Sequence, residues 1–277
     1  MITLKSEREM AIMDRCNTLV LQVLAELTNM IRPGSDVADL DAYAEKRTRQ
    51  AGAAPSFKGY HGFPSALCVS INEQVVHGIP VSRELVQGDI VSIDFGVHLD
   101  GFHGDGAQTI VVGEAIPEVQ DLVAGTLEAL RLGIAQMRPG NCLGDIGHAV
   151  QSHAEENSWG VVQEYVGHGI GRELHESPSL PNFGEPGRGT RLVEGMVLAI
   201  EPMLNLGTAE VRLGGDEWTV STADGLPSAH FERSVAITAA GPWVLGSGAA
   251  PGETVVDLPV VQVEVAAGQG ADMGGLR

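Results

Sequence analysis

Five side chains of this 277-residue sequence could together hold cations: Asp94, Asp105, His168, Glu201 and Glu232. Four carboxylates and one imidazole form a hard, oxygen-rich donor set. Such a set suits two divalent ions about 3.5–4 Å apart that share bridging carboxylates. It is too anionic to stand without cations, and too poor in sulfur and imidazole for a structural zinc.

The first two donors lie in one stretch, Leu85–Asp105, LVQGDIVSIDFGVHLDGFHGD. Ile90, Val91, Ile93 and Phe95 supply a strand, and Asp100-Gly101 is a strong hairpin signal. With those two residues at the centre of a tight turn, Asp105 falls opposite Gly96. Asp94 is then its diagonal neighbour on the same face, roughly 7–8 Å away between backbones. A three-residue turn or a bulge would give another register. Two like charges on one buried face raise a pKa sharply unless a cation or a shared proton compensates. For an isolated pair of aspartates, the plainer reading is that one faces solvent. The second half of the chain argues otherwise.

That half repeats the first. Leu85-Val86-Gln87-Gly88-Asp89-Ile90-Val91-Ser92-Ile93-Asp94 matches Leu192-Val193-Glu194-Gly195-Met196-Val197-Leu198-Ala199-Ile200-Glu201 at an offset of 107. Arg32-Pro33-Gly34 recurs as Arg138-Pro139-Gly140, and His77-Gly78-Ile79 as His168-Gly169-Ile170. Three matches in one order imply two copies of an αβ unit, too few for a solenoid. A pseudo-twofold axis between them would bring Asp94 and Glu201 to a common centre.

The elements that position these residues follow from local pattern. Ser6 and Glu9 have the form of a capping box. Apolar residues from Ile12 to Met30 then recur every three or four positions, giving a long helix that Arg32-Pro33-Gly34 stops. A second helix runs to about Gln50. Gly59–Pro64 reads as an aromatic loop, Leu67–Ile71 as a strand and His77–Pro80 as a loop. Helices are expected over Pro117–Met137 and near Gly144–Asn157. Val161–Val166 reads as a strand feeding a Gly167–Gly171 loop, and Pro178–Gly189 as loop. Strands follow at Val197–Glu201, Trp218–Ser221 and His230–Ile237. The reading is one catalytic domain over residues 1–245, with halves at about 1–113 and 114–245. A Gly/Ala/Pro-rich tail covers 246–277, with an apolar island at Val255–Val265 and disorder after Ala266.

Composition narrows the function. A formal charge of −19, with no basic stripe, argues against a nucleic-acid partner. No apolar run approaches membrane-spanning length and no signal-peptide core opens the chain. Cys16, Cys68 and Cys142 form no CxxC pair, which fits a reducing compartment, so a cytoplasmic location is expected.

The motifs closely resemble those of the type I methionine aminopeptidases over about residues 1–243. The matching segments are Cys68–Glu73, His77–Pro80, Ile93-Asp94, Asp100–Asp105, Gly167–Gly171, His175-Glu176, Ile200–Met203, Trp218-Thr219 and Phe231-Glu232. The resemblance implies an α+β pita-bread fold: two pseudo-twofold-related halves, a curved antiparallel sheet and helices on its outer face. It implies two divalent ions (Co, Mn, Fe or Zn), with Asp94 on one, His168 and Glu201 on the other, and Asp105 and Glu232 on both. A water acidified by the ions attacks the scissile carbonyl. Glu201 takes its proton and passes it to the leaving amine, His175 stabilises the oxyanion, and His77 hydrogen-bonds the peptide nitrogen.

By the same resemblance, Tyr60, Phe63, Cys68, His77 and Trp218 line the methionine pocket, with Tyr165 and Leu174 nearby. Apolar, polarizable walls suit a thioether. Phe57 stands where a small residue is common and Leu174 where an aromatic is common. Asn72 and Ser228 match positions that hold a monovalent cation. The six remaining histidines, His61, His98, His103, His148, His153 and His230, are read as surface or supporting residues, not as ligands. Expected partners are nascent polypeptide N-termini, with transient ribosome contact, no nucleic acid and no membrane, for a monomeric protein. Two rival readings are an X-Pro aminopeptidase or prolidase, whose further N-terminal domain this sequence leaves no room for before Ser6, and a pita-bread binding protein, which would have lost ligands.

Overall fold

The computed structural model describes residues 1–253; the Val255–Val265 island and the disorder expected after Ala266 lie outside them. Among the described residues, four α-helices organise the fold: α1 (Glu7–Thr28), α2 (Val37–Gln50), α3 (Pro117–Gln136) and α4 (Leu143–Glu156). The capping box is present: Ser6 Oγ accepts from the Glu9 amide, and Glu9 accepts from the Ser6 amide. From that start Met10, Met13, Val20, Val23, Leu24 and Leu27 fall on one buried face. Truncating one of them, Leu24→Ala for example, would cost about 2–5 kcal/mol of stability.

The duplicated sequence is a duplicated structure. Gly34 and Gly140, both with positive φ (89° and 98°), close the turns after α1 and α3. The Gly34 amide donates to Leu85 O at 2.9 Å, and the Gly140 amide to Leu192 O at 3.0 Å. In return, the Leu85 amide donates to Ser35 O and the Leu192 amide to Asn141 O. Single bridges complete each copy, Asp36 with Glu84 and Cys142 with Arg191. Each Leu-Val-x-Gly segment is thus tied to its own helix–turn–helix, so the strand that follows enters the sheet at an equivalent place.

A nine-stranded antiparallel sheet holds the functional residues. Its order is Ala54–Pro55, Ile90–Leu99, Phe102–Val111, Glu232–Thr238, Val197–Ile200, Gly167–Gly169, Glu176–Leu180. Cys68–Ile71 adds to Ile90–Leu99, and Gly241–Val244 to Glu232–Thr238. Alternation sorts the two faces. Gly104 and Gly106 point at α1: a Cβ on Gly104 would come within 3.0 Å of Cys16 and Asn17. Asp105 and Ala107 point the other way. Helix α1 therefore packs tightly on the face opposite the carboxylates. Two small three-stranded sheets flank the main one, Ser228–His230 with Met203–Asn205 and Gly160–Val161, and Val211–Leu213 with Val220–Thr222 and Gln74–Val76.

Two expectations are corrected. The strand read at Val161–Val166 is cut to Gly160–Val161, and the glycine segment after it is itself a strand, Gly167–Gly169. There the backbones lie so close that a Cβ on Gly167 would strike Ala199 O and Leu180 O. The segment read as loop from Pro178 instead begins as the strand Glu176–Leu180. It sits at the sheet edge, where a proline breaks no central ladder.

Candidate metal centre and substrate cavity

The sheet register assembles the donors. Cys68 pairs with Asp94, Asp94 with Ala107, and Ala107 with Glu232. Directly opposed residues share a face, so one row carries all four. Asp105 is opposite Gly96 and diagonal to Asp94, because Asp100 and Gly101 (φ 53° and 81°) form a two-residue turn. On the next strand Arg233 pairs with Ile200, which brings Glu201 level with Glu232. His168 faces Ala199, making Glu201 its diagonal neighbour, with Nε2 3.6 Å from Glu201 Oε1. Asp105, His168 and Glu232 each present a donor atom within 4.8 Å of the others'.

Burial makes this cluster costly without cations. Asp105 and Glu232 are 4% and 2% exposed, and Asp94 and Glu201, half-buried, line the cavity. Burial pushes Asp105 up to about 7. Burial, then repulsion from Asp105, pushes Asp94 well above the usual carboxylate range. Glu201 is raised by burial and by Asp94 and Asp105. Glu232 is raised by burial and its three acidic neighbours, against the pull of Arg233. Asp94 Oδ1 and Glu232 Oε1 are buried with no hydrogen-bond partner. Unpartnered carboxylate oxygens inside a ring of acids fit divalent cations, which supply both the missing contact and the charge.

His168 is poised as a neutral ligand. Its Nδ1 is 2.9 Å from Gly169 O, so that nitrogen carries the proton and Nε2 keeps its lone pair facing Glu201. Burial holds its pKa down to about 4.

Above the donors lies a cavity of about 220 Å³ walled by Phe57, Tyr60, His61, Phe63, Cys68, Leu174 and Trp218, with His77 and His175. Gly96, opposite Asp105, has no Cβ; one there would come within 2.9 Å of the Phe57 ring. The bare backbone lets Phe57 lie beside the carboxylates. Phe63 and Trp218 meet edge to face at 5.2 Å. His175 Nδ1 is 2.7 Å from the Tyr60 hydroxyl, and its ring is 4.3 Å from that of His168. Burial lowers the pKa of His175, with His61 adding to the effect, and that of His77 to about 4, with His175 adding.

Placement differs from the sequence reading at the periphery. Tyr165 is not among the cavity's walls; it packs edge-on against His77 at 5.5 Å, behind it. Asn72 and Ser228 do meet, the Ser228 amide donating to Asn72 O at 2.9 Å. The Asn72 side chain is already engaged by Asp89 and the Ile90 amide, leaving backbone carbonyls and the Ser228 hydroxyl for any cation. His98 and His103 face each other across the hairpin, and His103 is 2.8 Å from Ser56 Oγ. His61 lines the cavity mouth.

Several supports were not singled out from sequence. Asn182 Nδ2 donates to Glu201 O, Ser234 Oγ to Asp105 O, and the Asp105 amide to Asn17 Oδ1. His230 is buried; its Nε2 lies 3.9 Å from Glu201 Oε2 and makes no hydrogen bond, while its backbone is held by Thr109 Oγ1. Its one sequence signal was a spacing of two from Glu232. Nothing in the sequence ties Asn17 or Asn182 to the site, since the contacts cross from other elements.

The model for metallopeptidase family M24 matches residues 11–239, a span that includes every donor described above. The chain belongs to metallopeptidase family M24. The sheet with its outer helices is the pita-bread fold of that family. Among M24 relatives, the methionine aminopeptidase of Clostridium perfringens is 49% identical over 245 residues, 88% of this chain and 98% of its own. Methionine aminopeptidase 1 of Bacillus subtilis is 48% identical over 87% and 97%. The crystal structure of the Thermotoga maritima methionine aminopeptidase superposes with a TM-score of 0.87 at 41% identity, covering 89% of this chain and 99% of that one. A Pyrococcus horikoshii prolidase, at 23% identity and a TM-score of 0.72, shares the fold alone.

Proposed function

We propose that this chain is a metal-dependent aminopeptidase that removes N-terminal methionine from peptides with a small second residue. The observation that carries the proposal is the convergence of four carboxylates and a neutral imidazole on the floor of a largely apolar cavity. Relatives of nearly full shared length are named methionine aminopeptidases, which supports the same reading.

Asp94 would hold one divalent ion, His168 and Glu201 a second, and Asp105 and Glu232 both. When bound, the ions supply Lewis acidity, lowering the pKa of a water and polarising the scissile carbonyl. Glu201, whose Oε1 faces His168 Nε2 at 3.6 Å, would accept a proton from the attacking water and return it to the leaving amine. His175 has Nδ1 engaged by Tyr60, so Nε2–H is left to donate to the developing oxyanion. His77, braced from behind by Tyr165, orients the peptide nitrogen. Phe63, Cys68, Leu174 and Trp218 enclose the methionine side chain, with Tyr60 at the rim.

The substrates are the N-termini of new polypeptides, met by a monomer in the cytoplasm and in passing at the ribosome. Among the described residues no helix is long and apolar enough to cross a membrane. The test is cleavage of Met-Ala-Ser and of an X-Pro peptide by the protein supplied with Mn²⁺ or Co²⁺. Release of methionine from the first alone is expected. Cleavage of the X-Pro peptide alone, or of neither, would overturn the proposal.

A further inference from the structure

The buried ion pair between Lys5 and Glu176 stands outside the site yet adjoins it. Lys5 Nζ lies 2.5 Å from Glu176 Oε2, and both side chains are nearly inaccessible, 3% and 12% exposed. A lysine so buried is rare unless it is paired. Glu176 follows His175 directly in the chain. Its Oε1 accepts the Arg172 amide at 2.8 Å and the Glu173 amide at 3.4 Å, folding the Gly171–Glu176 segment around the carboxylate. Gly171 has no Cβ to displace either partner, since one there would strike both Glu176 Oε1 and Lys5 Cε.

Lys5 is itself pinned. Its amide donates to Gly195 O at 2.7 Å, its Nζ also donates to Thr3 O, and Ser6 beside it caps α1. One turn into α1, Glu9 accepts from Arg172 Nη2 at 3.0 Å, and the Arg172 guanidinium lies 4.5 Å from the Phe102 ring centroid. The segment that carries His175 is therefore anchored at both ends to the start of α1.

We propose that Lys5 and Glu176 are positioning residues for His175. The Lys5 charge balances a carboxylate that holds the Arg172 and Glu173 amides, and that closed segment fixes the imidazole between Tyr60 and His168. Removing Lys5 leaves the carboxylate buried without its cation, and the segment must open to hydrate it. The imidazole then leaves the line to the scissile carbonyl, while the five donors, set by sheet register, stay in place.

The inference rests on the proposed aminopeptidase reading, and the experiment separates the two. Lys5→Met keeps length and removes charge; Lys5→Arg restores charge. Both, with Glu176→Gln as a second route should Lys5→Met not fold, are measured on Met-Ala-Ser in the wild-type and His175→Ala backgrounds. Bound metal and the His175 imidazole NMR signals of the metal-free protein are recorded alongside. We expect Lys5→Met to lower kcat about 10- to 100-fold with KM within threefold, with metal content kept and the His175 signals shifted. In the His175→Ala background the same change should cost less than twofold, and Lys5→Arg should recover most of the turnover. Full turnover in Lys5→Met, unchanged His175 signals, or a loss that repeats undiminished without His175 would overturn the positioning role. A wild-type protein inactive on the peptide would instead overturn the aminopeptidase reading.

Discussion

Asp94 and Glu232 stand on either side of Ala107, each directly opposite it on a neighbouring strand. The strand between them presents only the fully buried Ala107 methyl at that position, and Asp94 Oδ1 and Glu232 Oε1 lack hydrogen-bond partners. The space between them is where a cation would be shared. Ala107→Val should therefore fill it while keeping strand propensity. Divalent-ion affinity is expected to fall at least about tenfold with circular dichroism unchanged. Titration calorimetry showing wild-type affinity would place the ions elsewhere.

Asp105→Ala and Glu232→Ala each remove a carboxylate assigned to both ions. The expected product is a folded, metal-poor protein with no measurable release of methionine. Wild-type turnover in either variant, with metal content confirmed, would sink the dinuclear arrangement.

His175→Ala removes a donor to the oxyanion but no metal ligand. A drop in kcat of about 10²–10³ is expected, as for the loss of one such donor, with metal stoichiometry retained. If stoichiometry falls as well, His175 belongs among the ligands.

The metal-free protein should lose stability as pH rises toward and through about 7. Asp105 is raised to about 7 in the fold, and burial with mutual repulsion raises Asp94, Glu201 and Glu232 well above the usual carboxylate range. Between the unfolded carboxylate range at about 4 and the folded value of about 7, the folded state holds protons that the unfolded chain has released, so stability declines with pH. Below about 6.5 the buried histidines oppose this: His168 and His77, lowered to about 4, are neutral in the fold while the unfolded chain takes up protons. The melting temperature of the metal-free protein should thus fall between about pH 6.5 and 7.5, and saturating Mn²⁺ should flatten the slope by replacing the protons. A slope unaffected by metal would mean that these carboxylates do not bind it.

Local chemistry made much of this legible. Asp100-Gly101 specifies a two-residue turn, and that turn alone sets the diagonal of Asp94 and Asp105. Ser6 and Glu9 mark the start of α1 because a capping box is a local exchange of hydrogen bonds. The repeat around Leu85 and Leu192 survives because the same turn-to-strand contacts recur in both halves. Tertiary demands were not legible. Gly167–Gly169 carries no strand signal, since its glycines answer to Ala199 and Leu180 across the sheet. Pro178 hides an edge strand. His230 and Lys5 look like surface residues until other elements bury them against Glu201 and Glu176.

On the proposed reading, the cavity accepts methionine and the wall beyond it admits only a small second residue. His77, packed edge-on against Tyr165, His168, held by Gly169 O, and the buried carboxylates would form that wall, which leaves little room for a bulky side chain. The direct measurement is kcat/KM across a Met-X-Ser series in the presence of Mn²⁺, with X running from Gly to Lys. Met-Gly, Met-Ala and Met-Ser should be cut well, Met-Leu and Met-Lys poorly. An acidic second residue should be refused by both size and charge. A flat profile across the series would contradict the account.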